Sequence, residues 1–399
     1  MNEDKSTRYH RLQRRALLLW TFPALALLWA FIGGNASLRL RDFAVAMTGS
    51  GPSDPAAVAL YSLALMVAYH ALLFPLAFYQ GFVLERRYGL GAAGLSTWLL
   101  GFATGAAVVA IPSVGLAVLV YSTMRWWPQG WWIASAACLA GALFGLARIA
   151  PVALLPLFYR LTPLDRESLR TRLTALCQRA GIPVLGVHVW DLGEKSRRAN
   201  AALIGAGSTR RILLSDTLLA DYSDEEIEVI LAHEIGHHVH ADIRNSLIAE
   251  SALITFSLAI GAHALGSMWP VLRLNGPSDV AGLPVLIGIG AVMSLAARPL
   301  LQAMSRRNER RADGFALALT RQPAAFVSVM RRLASQNLAE ARPSRTAVWF
   351  FHTHPPLDER LETARQHQDR PGVGTLSPDP GSLVEVRRVE SASGVLRLD

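Results

Sequence analysis

The chain is short of charge. Only 17% of its 399 residues are Asp, Glu, Lys or Arg, where a soluble domain carries about a quarter. That deficit argues against an ordinary soluble protein, and the 52% hydrophobic content and mean hydropathy of +0.29 point to membrane burial. Cysteine is nearly absent: there are two, and no Cys-x-x-Cys pair, which excludes a cysteine zinc site. Cys138 lies in an apolar run and Cys177 in a polar amphipathic stretch, so no structural disulfide is expected. Acid is scarcer than base, 30 residues against 39, for a net charge of +9. The basic residues do not interleave regularly with aromatics as in a nucleic-acid groove, so no nucleic-acid partner is expected. They are assigned instead to cytoplasmic loops beside anionic lipid.

Apolar stretches of about 20 residues cross a bilayer as helices. Six occur: Ala16–Gly34, Ala56–Val83, Trp98–Ser122 (broken by Pro112), Trp131–Ala150, Ser246–Gly266 and Gly282–Ala303. The first has a basic flank and could be read as a cleaved signal peptide. Its length and its Trp20 and Trp29 favour an anchor. The predicted organisation is a transmembrane bundle over 1–155, a peptidase segment over 156–245, a transmembrane hairpin over 246–303, a second peptidase segment over 304–365, and a disordered Pro-, Gly- and Ser-rich tail over 366–399. Arginines gather at the N-terminus, after the second and fourth runs and after the sixth, which puts all four on one side of six spans. By the positive-inside rule that side is the cytoplasm. The fold class expected is mainly α, an integral membrane helical bundle with a small cytoplasmic α+β insert.

Ser223-Asp-Glu-Glu226 has the form of a capping box and opens a helix carrying His233-Glu234-Ile-Gly-His237. Histidines four apart lie on one helix face and can share a metal. Glu234, beside the first ligand, can take a proton from a water that zinc acidifies. By itself this five-letter pattern is also met by chance on amphipathic helices. A catalytic zinc needs a third protein ligand, and Glu309 is the candidate, because the two spans between His237 and Glu309 form a hairpin that returns to the same face. Asp313, four residues on, is a candidate hydrogen-bond partner for a ligating histidine; paired with Arg310, it would instead be a solvated helix acid.

The pieces His-Glu-x-x-His, Ser305-Arg-x-x-Glu309-x-x-Ala312-Asp313 and His354-Pro355-Pro356-Leu-x-x-Arg360 occur in this order in the CAAX prenyl protease type 1 family of zinc metalloproteases, which the chain resembles. Its relatives include the bacterial membrane protease HtpX. Glu85-Arg-Arg-Tyr-Gly89, Pro151-x-x-x-Leu155-Pro-Leu-Phe158 with Thr162-Pro-Leu164, and Asn200-Ala201 ahead of Arg211-Ile-Leu-Leu-Ser-Asp216 extend the resemblance from about Glu85 to about Leu361. It implies one Zn2+ per chain on His233, His237 and Glu309, with Glu234 as base. It implies substrate backbone held by strand addition at Asn200 and Ala201, His354 donating to the carbonyl or its oxyanion, and Arg360 neutralising a nearby acid or a substrate carboxylate. It further implies peptide or protein substrates, lipidated or membrane proteins among them, membrane lipid as surroundings, and a bacterial inner-membrane location. The eukaryotic members have seven spans where six are counted here. The competing readings are an HtpX-like membrane-protein quality-control protease and, in another class, an inactive membrane scaffold or transporter; the unligated Glu234 argues against the last. His238 and His240 are read as surface residues. His70, Glu250, His263 and Arg298, in or near apolar runs, are read as an interior polar network.

Overall fold

The computed structural model describes residues 5–91, 93–153, 159–192, 199–205, 210–336, 340 and 343–369. Five helices among these residues are long and apolar enough to cross a membrane: Pro55–Tyr88, Leu95–Trp126, Trp131–Ile149, Asp242–Met268 and Val280–Thr320. They coincide with the second to sixth apolar runs. The first run lies in helix α1 (Lys5–Gly33). Large apolar side chains such as Leu100, Ile111, Phe256 and Leu300 project outward from the spans, as a lipid-facing surface requires.

Several boundaries differ from those read off the sequence. Residues 36–48, assigned to an external loop, form helix α2 (Ala36–Thr48). Its buried face is small, and Ser37 donates to the Ala281 carbonyl at 2.7 Å while Arg41 pairs with the buried Asp279 at 2.7 Å. Helix α3 (Pro55–Phe78) passes through a π-helical stretch, Tyr79–Leu84, into α4 (Glu85–Tyr88). Pro112 does not break the third span; α5 (Leu95–Trp126) runs through it, since one missing N–H is tolerated where neighbouring groups can compensate. Helix α6 (Trp131–Ala153) completes the N-terminal bundle. The residues 155–158 of the motif beginning at Pro151 lie outside the description.

The peptidase segment adds β1 (Leu161–Pro163), α7 (Glu167–Arg179), β2 (Val187–Trp190), β3 (Ala201–Ile204), β4 (Arg211–Ser215), α8 (Asp216–Asp221) and α9 (Asp224–Val239). The strands form one sheet in the order β1-β2-β4-β3, with β2 and β4 parallel and the outer pairs antiparallel, so β3 is an edge. Leu169, Leu173, Leu176 and Cys177 of α7 pack on Ile212 and Leu214 of β4 and on Ile227, Leu231 and Ile235 of α9. Cys177 and Cys138 are both free.

The expected capping box opens α9: Glu226 N–H donates to Ser223 Oγ at 3.3 Å, and Ser223 N–H to the Glu226 carboxylate at 2.9 Å. At Ala241, in the left-handed region (φ 54), the chain turns a corner into α10 (Asp242–Met268). It returns in α11 (Leu283–Thr320), one 38-residue helix that carries the sixth span and then Glu309 and Asp313. The divisions drawn at 245/246 and 303/304 thus fall inside α10 and α11, because a span and the following ligand helix share one unbroken backbone ladder. Helices α12 (Pro323–Gln336), α13 (Arg345–Phe351) and α14 (Leu357–Asp369) follow. Residues 366–369, assigned to the tail, belong to α14; 370–399 lie outside the description.

Gly236, between the two histidines, lets α9 and α11 touch. A Cβ there would lie 3.0 Å from the Ala312 Cα and 3.3 Å from the Phe315 Cβ. Gly236→Val is therefore expected to force the helices apart, at a cost of about 1–3 kcal/mol, and to lower metal content along with Tm. Unchanged values of both would show that the close approach is not needed.

Among the described residues His70, Glu250, His263 and Arg298 do not form a network with one another. His70 donates from Nδ1 to the Met66 carbonyl one turn back at 2.9 Å, Arg298 lies over the Phe351 ring at 5.5 Å, and Glu250 and His263 are exposed. His70 is satisfied within its own helix, Arg298 by a ring on another helix, and Glu250 and His263 face outward, so none of the four relies on another.

A candidate metal centre between two helices

Helices α9 and α11 bring His233, His237 and Glu309 together, their ligand atoms all within 4.8 Å of one another. The two Nε2 atoms are 3.2 Å apart. His233 Nε2 lies 3.3 Å from Glu309 Oε2 and His237 Nε2 3.5 Å from Glu309 Oε1. The other nitrogen of each ring faces a carboxylate: His233 Nδ1 is 3.0 Å from Asp313 Oδ1, and His237 Nδ1 is 2.9 Å from Asp242 Oδ2. A carboxylate only accepts, so each Nδ1 carries a proton, and a ring that has given up its second proton turns a lone pair inward from Nε2. Two nitrogens 3.2 Å apart beside a carboxylate call for a positive charge between them, which a proton or a divalent cation can supply. The residues fit a metal of the kind that takes nitrogen and oxygen ligands.

Both supporting carboxylates are themselves held by arginine. Arg360 forks onto Asp313 at 2.7 and 2.5 Å, and Arg311 reaches Asp242 at 2.5 Å and Asn308 at 2.8 Å. Arg360 thus pairs with Asp313 on α11, and Asp313 pairs with it and not with Arg310, whose partner is Glu359 at 2.5 Å. Burial would depress the His233 pKa, but the bonds to Asp313 and Glu309 outweigh it and raise it to about 9. Burial opposes His237 likewise, and its bonds to Glu309 and Asp242 raise it.

Glu234 lines the same cleft, of about 710 Å³, together with Asn200, Ala201, His354 and Arg360. Burial lifts its carboxyl above the ordinary value, against the pull of His233 and His237. His354 Nδ1 stands 2.7 Å from Glu309 Oε2 with its side chain 60% exposed, at the rim. Its loop is anchored by the buried Arg306, which donates to the Val348 and His352 carbonyls at 2.8 and 2.9 Å. Asn200 is not within a strand as expected; it precedes β3, though its carbonyl accepts from Ser215 N–H at 2.9 Å and so extends the ladder by a residue. The far wall of the cleft comes from the membrane bundle, with His10, Gln13 and Arg14 of α1 and Gln80.

Sequence reasoning missed Asp242, Arg306 and Arg311, and it took His238 for a surface residue. His238 is half-buried, and its Nε2 bonds the Leu203 carbonyl at 2.8 Å. His240 also is half-buried, edge-on to Phe315 at 6.1 Å. The corner at Ala241 turns this part of α9 against β3 and α11, which helix periodicity alone does not reveal. For Arg306, the motif in which it stands was the available signal.

Residues 163–368 match the profile of Peptidase family M48, and residues 3–160 match that of the CAAX prenyl protease N-terminal region of five membrane helices. A Bacillus subtilis (strain 168) protein named "Uncharacterized metalloprotease YhfN" is 30% identical over 66% of this chain and 63% of its own length. "CAAX prenyl protease 1" of Saccharomyces cerevisiae is 26% identical over 72% of this chain and 67% of its own. The chain thus spans less than two thirds of the length of the Bacillus relative. The crystal structure of S. mikatae Ste24p superposes with a TM-score of 0.81 at 21% identity, covering 90% of this chain and 88% of that one, so the two share a fold. With the five candidate spans, these matches make this an integral, multi-pass membrane protein.

Proposed function

The chain belongs to peptidase family M48, and from that premise we propose that it is a membrane-embedded zinc metalloendopeptidase, with one zinc per chain held by His233, His237 and Glu309. The observation that carries this reading is the pair of inward Nε2 atoms 3.2 Å apart beside Glu309, each ring fixed by a carboxylate behind it. A bound zinc would supply a Lewis acid for the scissile carbonyl and would lower the pKa of a water toward neutrality. Glu234 takes the proton of that attacking water and passes it to the leaving amine; its raised pKa suits both halves of the transfer. His354, at the rim and exposed enough to turn from Glu309, donates to the oxyanion that develops on the substrate. Asn200 and Ala201 grip the substrate main chain at the edge of the sheet. Asp313 and Arg360 hold the His233 ring, so Arg360 acts by positioning and not by binding a substrate carboxylate.

Peptide segments of membrane-associated proteins, lipidated ones included, are the substrate class, supported by the cleft wall that α1 and Gln80 supply. The site faces the cytoplasm of a bacterial cell, supported by the arginine-rich ends of the spans. Accordingly Ser168→Cys, on exposed α7, should resist a membrane-impermeant thiol reagent applied to intact cells, while Ser278→Cys, in the turn between α10 and α11, should react. Labelling of Ser168→Cys from outside would invert the orientation.

The activity is tested on purified full-length protein with denatured casein. A chelator should abolish cleavage and zinc should restore it. His233 holds a proton up to about pH 9 in the metal-free site, and zinc must displace it. Half-restoring zinc should therefore rise at least about tenfold for each pH unit below that value, and level off above it. Casein cleavage indifferent to chelator would end the metallopeptidase reading.

A further inference from the structure

Strand β3 offers fewer pairing positions than its length suggests. Ser215 N–H donates to the Asn200 carbonyl at 2.9 Å, so Asn200 and Ser215 are a hydrogen-bonded pair of the antiparallel ladder. Such pairs alternate with non-bonded ones. Ala201 opposite Leu214, and Leu203 opposite Ile212, are then the non-bonded pairs. A second observation agrees: Ile212 N–H points to the other side of β4, where it donates to the Gly186 carbonyl at 3.0 Å. The N–H and C=O groups of Ala201 and Leu203 accordingly point to the open edge, the row onto which an added strand would pair.

One of these two positions is taken. His238 Nε2 lies 2.8 Å from the Leu203 carbonyl, and because a carbonyl only accepts, that nitrogen carries the proton and donates. The cleft lining reflects this: it takes in Ala199, Asn200 and Ala201 together with His233 and Glu234, and along the described part of β3 goes no further than Ala201.

We propose that His238 caps the substrate-binding edge of β3, leaving Ala201 as the one strand position at which a substrate main chain can pair. This rests on the reading of the protein as a peptidase that holds substrate by strand addition. The cap has a specific consequence. A strand that slips by two residues keeps the same face toward the cleft, so the facing pattern alone does not oppose such a slip. With Leu203 open, a substrate could dock in either of two registers, presenting bonds two residues apart to Glu234. With Leu203 capped, one register remains. His238 is thus a positioning residue that sets which bond is cut, acting through β3 and not on the reacting atoms.

The test uses purified full-length protein and a casein-derived peptide that it cuts at one bond. Each amide near that bond is N-methylated in turn, removing one main-chain donor. For the unaltered protein, one position should slow cleavage roughly tenfold, as loss of a single well-made hydrogen bond does, and the amides two residues to either side should be insensitive. His238→Leu should gain a second sensitive amide two residues away and a second product displaced by two residues, with zinc content unchanged. His238→Gln, whose amide still donates, should keep the original pattern. Two sensitive amides two residues apart in the unaltered protein would overturn the cap, whether or not the variants fold. An unchanged product and N-methyl pattern in a folded, zinc-loaded His238→Leu would overturn it as well. Absence of any chelator-sensitive cleavage would instead bring down the peptidase reading, and this one with it.

Discussion

Glu234→Gln should retain zinc, fold and membrane insertion while losing peptide hydrolysis by about a hundredfold to ten-thousandfold, the usual cost of removing a general base. The amide keeps the shape of the carboxylate but cannot accept a proton. Position alone makes Glu234 distinctive: it stands between the two histidines in sequence and lines their cleft, yet it does not belong to the cluster of ligand atoms. Burial lifts its carboxyl above the ordinary value, against the pull of His233 and His237, which makes its carboxylate a stronger base than that of an exposed glutamate. The substitution also removes the cost of burying an ionised carboxyl in a half-buried site, so a Tm equal to or above that of the parent is expected. The measurements are zinc content, Tm and casein turnover on one preparation. Turnover within a fewfold of the parent would mean that another group takes the proton, or that the route does not pass through water.

Glu309→Ala should lose the zinc, and activity should fall below that of Glu234→Gln. Glu309 supplies the only ligand from α11 in the cluster, and its two oxygens face one histidine each at 3.3 and 3.5 Å. Without it, two imidazoles remain, fewer protein ligands than a catalytic zinc site uses. The loss extends beyond the metal. His354 loses the carboxylate 2.7 Å from its Nδ1, and His233 loses one of the two carboxylates that hold its pKa near 9, so the metal-free variant should bind protons more weakly at this site than the metal-free parent. Metal analysis after gentle purification, with calorimetric zinc titration, separates this from a folding defect; Glu309→Gln, of nearly the same shape, serves as the control for packing. A full zinc complement in Glu309→Ala would remove Glu309 from the ligand set.

Much of this was legible without coordinates because it depends on local periodicity. A four-residue spacing puts His233 and His237 on one face of any α-helix, and Ser223 with Glu226 forms its capping box whatever packs around it. Apolar runs of span length announce helices because lipid satisfies no backbone polar group. The return of Glu309 could be argued from span counting, since a hairpin brings the chain back to its starting side. The roles expected of Asn200, His354 and Arg360 rested on motif order alone, and the fork of Arg360 on Asp313 is added by the structure.

What the sequence by itself determined is therefore the face of α9 that both histidines share, the membrane class and the order of the apolar runs, all set by spacing and hydrophobicity along one helix at a time. Only the tertiary structure decided which groups stand behind the ligands and which stand at the sheet edge. Asp242 supports His237 because the left-handed turn at Ala241 folds α10 back on α9. Arg311 and Arg360 reach their acids across 69 and 47 residues of chain. His238 meets Leu203 only because β3 lies at the edge of its sheet beside α9. Such pairings follow from the angle and separation at which helices and strands pack, and the bare side of Gly236 against Ala312 sets that separation here. No periodic pattern encodes it, because close packing is a property of two surfaces meeting and each surface is written in a different part of the chain.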